Sequence, residues 1–309
     1  MRYTAMVANP PPNRAWLWQL ALLTLIWGSS FMLIKVALED FGPVQVAFGR
    51  ISVGALTLLA ILAATRERLP RDWHTWRNGA VIGLLMNAAP FTLVAWGEGR
   101  LGSVEAGIWN ATTPLFVLLV LVTVRSEHLT RRRIGGLLLG FAGVLVVLAP
   151  WHGVGGGEGL GHLALAGMAA CYGVGTTFMR RAYHGSTTSA TALSAVQLTC
   201  ATAWMTVALA TTEGLPDQAP SLLPVLCIVA LGALGTAIAY ILFTNLVRTA
   251  GSATASSVTY LMPIVSTTLG VVVLGETIGW NEPVGTVVIL LGAYAIAARA
   301  PAPAPARAR

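Results

Sequence analysis

Arg50 stands inside the run VAFGRISVGALTLLAILAA (46–64), where a helical turn in either direction offers only apolar or small side chains. An unpaired guanidinium in such surroundings costs several kcal/mol, so the fold must give it a partner. The acids at comparable depth in their own runs are Glu98 and Glu105. With a rise of about 1.5 Å per residue, Arg50 lies about 9 Å inside one end of its helix and Glu105 about 12 Å from the centre of its own. Two readings stay open. One is an ion pair that closes one end of a cavity and breaks as the cavity opens; the other is an arginine permanently paired and partly snorkelling.

The other polar groups in apolar runs are neutral. Asn87 and Phe91 share a stripe with Val94 and Glu98. Ser103, Gly107, Asn110 and Pro114 lie on one helical face, and Ser252, Ser256, Thr259 and Pro263 on another. Trp27 with Ser30, Tyr172 with Thr176, Tyr240 with Thr244, and Gln197 with Cys200 and Trp204 form further stripes. Trp109, Thr113 and Tyr260 adjoin these faces and complete the candidate substrate-binding set. Hydroxyls, amides and aromatic rings suit a partly apolar, uncharged or zwitterionic solute. Pro114 and Pro263 each remove the hydrogen bond to the carbonyl four residues earlier, on Asn110 and Thr259. Those carbonyls are open either to solute binding and gating or to a packing kink.

Covalent and metal chemistry find no support. There is no His-Glu-x-x-His pair, no Gly-x-Ser-x-Gly elbow, and none of the 12 acids at the middle of an apolar run. His74, His128, His152, His162 and His184 fall in or near expected loops, and Cys171, Cys200 and Cys227 in three different helices. The reading therefore includes no catalytic residue, no metal site and no cofactor. An Asn-Ala-Thr sequence at 110–112 lies within a run and is a chance match to a glycosylation acceptor.

The elements that must position these residues are membrane helices. The chain has 309 residues, 55% hydrophobic and 10% charged, against roughly 25% charged in a soluble domain. Apolar stretches of about 20 residues, enough to cross a bilayer, begin near Trp16, Val44, Trp76, Ser103, Ile134, Leu160, Thr187, Ser221, Ser252 and Pro283. The first is too long for a signal-peptide core and is kept as a span. The net charge of +7 is set by topology. Of the 19 Lys and Arg residues, all but Arg50, Lys35 and Arg100 fall in alternate connections or the termini, the positive-inside pattern with both termini cytoplasmic. TRRRIGG (130–136) is thus a headgroup anchor rather than a nucleic-acid patch. The glycine-rich 153–161 reads as an outer loop, and APAPAPARAR (300–309) as a disordered basic tail.

Internal repetition organises these spans. A shift of 149 brings Ser103 onto Ser252, Ala106 onto Ala255, Pro114 onto Pro263, Glu127 onto Glu276, Gly136 onto Gly285 and Gly143 onto Gly292. A shift of 145 pairs Gly28 with Gly173 and Lys35 with Arg180, and a shift of 147 sets Arg50 against the neutral Gln197. The expectation is an all-α membrane protein of ten helices: residues 1–15 a cytoplasmic segment, 16–150 and 160–299 two five-helix repeats, 151–159 an outer loop. Five is odd, so the second repeat enters the membrane inverted, around a central cavity. The fifth and tenth spans, poor in polar groups and carrying small residues such as Gly136 and Gly140, should be peripheral and could pack a second copy of the chain.

LIWGSSFMLIKVAL, FGRISVGALTL, PLFVLLVLVTVRSEHLT and PIVSTTLGVVVLGET resemble motifs of the EamA-type family within the drug/metabolite transporter superfamily. The likeness covers almost the whole chain; Ser126 before Glu127 departs from the Gly-Glu kept at Gly275 and Glu276. It implies a cavity built by helices 1–4 and 6–9 and movement of small metabolites, often amino acids or drugs and often outward. The expected function is a secondary transporter in a bacterial inner membrane exporting amino acids or related zwitterionic or neutral compounds. Multi-compound drug efflux is the alternative, an intramembrane enzyme a remote one. The expected partners are a small-molecule substrate and the lipid bilayer, with no nucleic acid.

Overall fold

The computed structural model describes residues 15–124, 130–149 and 156–297. Glu127, the 151–155 part of the expected outer loop and the 300–309 tail lie outside them. Among the described residues there is no strand, and ten helical rods follow one another: α1 (Ala15–Ala37), α2 (Pro43–Ala64), α3 (Trp73–Glu98), α4 (Ser103–Thr123), α5 (Arg131–Leu148), α6 (Gly156–Ala182), α7 (Ala190–Thr211), α8 (Leu222–Ala250), α9 (252–272) and α10 (Asn281–Ala297). Seven of them, α1–α4 and α7–α9, are long and apolar enough to cross a membrane. The three others fall short for visible reasons. α5 opens on Arg131–Arg133, α6 is rich in glycine and ends on Arg180 and Arg181, and α10 is a shorter apolar helix.

The glycine-rich stretch expected as a loop is helical from Gly156. Glu158 in the first turn complements the helix dipole, and Gly161 lets the helix approach the α3–α4 connection, where a Cβ would fall 2.9 Å from the Leu101 side chain.

Four rods are interrupted. α3 and α8 each contain a π-helical stretch, Leu84–Ala88 and Ala233–Ile238, starting 149 residues apart. α4 breaks at Ala111–Thr112 just before Pro114, whereas α9 breaks at Ser257 and carries Pro263 inside its second piece. The π turns leave carbonyls without their usual helical partners.

Packing follows pairs that exchange under the sequence repeat. α1 packs on α8 and α9, and α6 on α3 and α4; α3 meets α7 and α8 meets α2; α2 meets α7 and α5 meets α10. Single glycines mark the same exchange. A methyl on Gly28 would come within 2.5 Å of Val265 on α9, and one on Gly173 within 2.9 Å of the Phe116 backbone on α4. Likewise Gly83 lies against the Gln197 carbonyl and Gly232 against the Arg50 carbonyl. Gly136 and Gly143 of α5 meet the backbone of Gly292 and Gly285 of α10. The glycine faces that the sequence offers to a second copy are therefore occupied within the chain.

Candidate functional site

The rods surround a cavity of about 460 Å³. Its wall takes Trp27, Ser30 and Phe31 from α1, Arg50 from α2, and Met86, Phe91 and Val94 from α3. Asn110 and Thr113 come from α4, Tyr172, Thr176 and Met179 from α6, and Gln197 from α7. Tyr240, Phe243 and Thr244 come from α8, and Ser256, Thr259 and Met262 from α9. The lining extends to Tyr183 and Ala190 at the α6–α7 connection, beside Arg180 and Arg181.

Three candidates from the sequence do not reach the wall. Asn87 is fully buried behind it, and its Oδ1 accepts the Tyr240 hydroxyl at 2.6 Å. Trp109 is buried among helices and donates through Nε1 to His162 Nδ1 at 3.0 Å. Tyr260 directs its hydroxyl to the Ala293 carbonyl on α10.

Arg50 is 6% exposed and is held by α8. Its Nε donates to Thr236 Oγ1 at 3.0 Å and Nη2 to the Gly235 carbonyl at 3.4 Å, with the guanidinium 3.9 Å above the Phe91 ring centre. The expected ion pair with Glu98 or Glu105 is not formed. The π turn exposes the Gly235 carbonyl, which also accepts Trp27 Nε1 at 3.2 Å, and offers the arginine an uncharged socket. Glu98 is fully buried with neither carboxylate oxygen hydrogen-bonded among the described residues. Glu105 Oε2 accepts from its own Gly102 N–H at 3.0 Å.

The end of the bundle opposite Arg180 is tied shut. Lys35 Nζ donates to the carbonyls of Glu98 and Leu101, both at 2.8 Å, joining α1 to the end of α3. Glu276 accepts from the N–H groups of Ser103 at 2.8 Å and Val104 at 3.0 Å, capping α4 from the segment after α9. Lys35's counterpart Arg180 is exposed and makes no hydrogen bond among the described residues.

Pro114 leaves no simple open carbonyl on α4. The Asn110 carbonyl freed by Pro114 is taken by the Thr113 hydroxyl at 2.8 Å. The sequence missed the methionines of the wall, Met86, Met168, Met179 and Met262. Their faint signal is helical spacing from polar wall residues: Met262 lies three residues from Thr259, and Met179 three from Thr176.

Seven helices long and apolar enough to cross a membrane thus enclose, with the other rods, a cavity whose apolar wall is spotted with polar groups. The profile of the EamA-like transporter family matches residues 14–149 and again 159–298, and the chain belongs to that family. It is 30% identical to the uncharacterized transporter YvbV of Bacillus subtilis, over 90% of this chain and 87% of the relative. It is also 30% identical to the S-adenosylmethionine/S-adenosylhomocysteine transporter of Chlamydia trachomatis, over 83% and 81%. A solved crystal structure superposes with a TM-score of 0.64 at 22% identity, covering 91% of this chain and 96% of the other, and shares the fold. The family is one of transporters rather than enzymes.

Proposed function

We propose that the chain is a secondary transporter that exports a small metabolite, an amino acid or related zwitterionic or neutral compound, across a bacterial inner membrane by alternating access. All ten rods cross the bilayer as two inverted five-helix repeats, with both termini cytoplasmic. The exchanged packing pairs and the family's double match support the repeat. The observation that carries the mechanism is the unequal pair of ends. Lys35 and Glu276 tie the outer end, while the cavity reaches the inner end, where Arg180 makes no hydrogen bond among the described residues. This is the inward-facing half of the cycle. In the outward-facing half, Arg180 takes over at the carbonyls of Val247 and Ala250, the counterparts of Glu98 and Leu101, and the outer ties release.

The relative named for S-adenosylmethionine and S-adenosylhomocysteine moves amino-acid derivatives, which favours that solute class here. The soft methionine wall favours a second reading, multi-compound efflux, because thioether side chains repack around different shapes. Counterflow of labelled aromatic and aliphatic amino acids and cationic drugs into proteoliposomes tests both. Uptake of amino acids that collapses in Asn110→Ala is the expected result. Flux of drugs alone supports the second reading, and no flux of any solute with folded protein contradicts transport.

A further inference from the structure

Arg50 is the one charged side chain in the described wall of the cavity, and no carboxylate lines it. Its direct contacts, a hydroxyl, a carbonyl and an aromatic face, are all uncharged, and the buried Glu98, which does not line the described wall, acts on it only through space. Nη1 makes no hydrogen bond among the described residues. Two further donors rest on weak acceptors: the Asn110 amide on Met262 Sδ and the Thr176 hydroxyl on Met86 Sδ, both at 3.7 Å. A thioether is a poor hydrogen-bond acceptor, so an incoming oxygen displaces it at little loss. The cavity thus holds unused donors around one buried positive charge, next to the Trp27–Phe243 ring pair at 5.4 Å.

Resting on the transport reading above, we infer that the transported solute bears a carboxylate on an apolar, aromatic body, with Arg50 as the carboxylate anchor. The planar guanidinium presents a fork that matches a carboxylate. A cationic solute meets a like charge at the wall instead, in surroundings where water screens little. The described wall offers no acid to an ammonium group, so the amine of an amino acid adds little to recognition.

The test compares four molecules of one shape on the full chain in lipid nanodiscs by isothermal titration: 3-phenylpropionate, 3-phenylpropionamide, 2-phenylethylamine and L-phenylalanine. The acid should bind about ten- to a hundredfold more tightly than the amide, the range of a charge-assisted pair. Phenylalanine should fall near the acid and the amine below both. Arg50→Gln should bring the acid-to-amide ratio to about one, and Arg50→Lys should keep part of it. Should Arg50→Gln fail to fold, the wild-type series decides alone. Amide or amine binding as tightly as the acid overturns the inference, as does a ratio unchanged in Arg50→Gln. Absence of binding by all four overturns it too; counterflow of another solute then leaves transport standing, whereas counterflow of none removes that reading as well.

Discussion

Lys35→Met removes the tie between α1 and the end of α3, the outer end on the proposed orientation, while keeping the length of the side chain. The wild-type ammonium makes two hydrogen bonds of 2.8 Å to the carbonyls of Glu98 and Leu101, and a cation there also complements the helix dipole. A hydrogen bond to a charged group contributes about 1.5–3 kcal/mol net. Lys35 is only partly buried and water can reach the released Leu101 carbonyl, so we take the low end, about 2 kcal/mol for the pair together. At 1.4 kcal/mol per factor of ten, the outward-open form gains about thirtyfold. The reporter is Phe31→Cys, a wall residue one helical turn from Lys35 and 5% exposed, in a chain whose Cys171, Cys200 and Cys227 are replaced by alanine. A membrane-impermeant maleimide added outside right-side-out vesicles should label the Lys35→Met form at least about tenfold faster. Equal labelling rates in folded protein would refute the claim that Lys35 holds the outer end shut.

Four further outcomes follow from other contacts. Glu276→Ala leaves the first N–H groups of α4 uncapped; it should cost about 1 kcal/mol and raise outer labelling of Phe31→Cys, read by the same maleimide rate. Gly83→Ala places a Cβ 2.5 Å from the Gln197 carbonyl, and such overpacking should cost about 1–3 kcal/mol, read as a fall in thermal midpoint. Gly135→Ala, with open space around it, should be neutral or slightly stabilising. Asp72 caps α3 by accepting the Thr75 N–H at 2.7 Å, and that bond lowers its carboxyl below the ordinary value. A lowered folded value means the cap stabilises above the unfolded value and loses its effect as pH falls through the folded one. The thermal midpoints of wild type and Asp72→Ala should therefore differ at pH 7 and converge in acid; a constant gap would contradict the cap.

Much of this arrangement was legible because lipid imposes it. Apolar length located the helices, and the 149-residue shift placed Pro114 against Pro263 and Gly143 against Gly292 before any coordinates. Helical spacing put Trp27, Phe91, Asn110, Tyr172 and Thr259 on faces that line the cavity. It failed where a local backbone event redirects a side chain. The π turn in α8 is invisible in the run ALGTAI, yet its Gly235 carbonyl and Thr236 hydroxyl take Arg50 from the acids that charge alone would choose. Trp109 follows the same logic in reverse. Its indole has a buried partner in His162, an atom-level match that spacing does not encode. The start of α6 was misplaced because glycine signals a loop, whereas here it permits a helix to lie against Leu101.

The most direct test of transport through this cavity is to plug it. Thr259→Cys, on the wall, and Leu138→Cys, 66% exposed on α5, are each introduced into the cysteine-free chain, modified to completion with a bulky maleimide, and assayed for amino-acid counterflow. Flux should fall to background after modification of Thr259→Cys and stay undiminished after modification of Leu138→Cys; flux that persists with Thr259→Cys fully modified would contradict transport through this cavity.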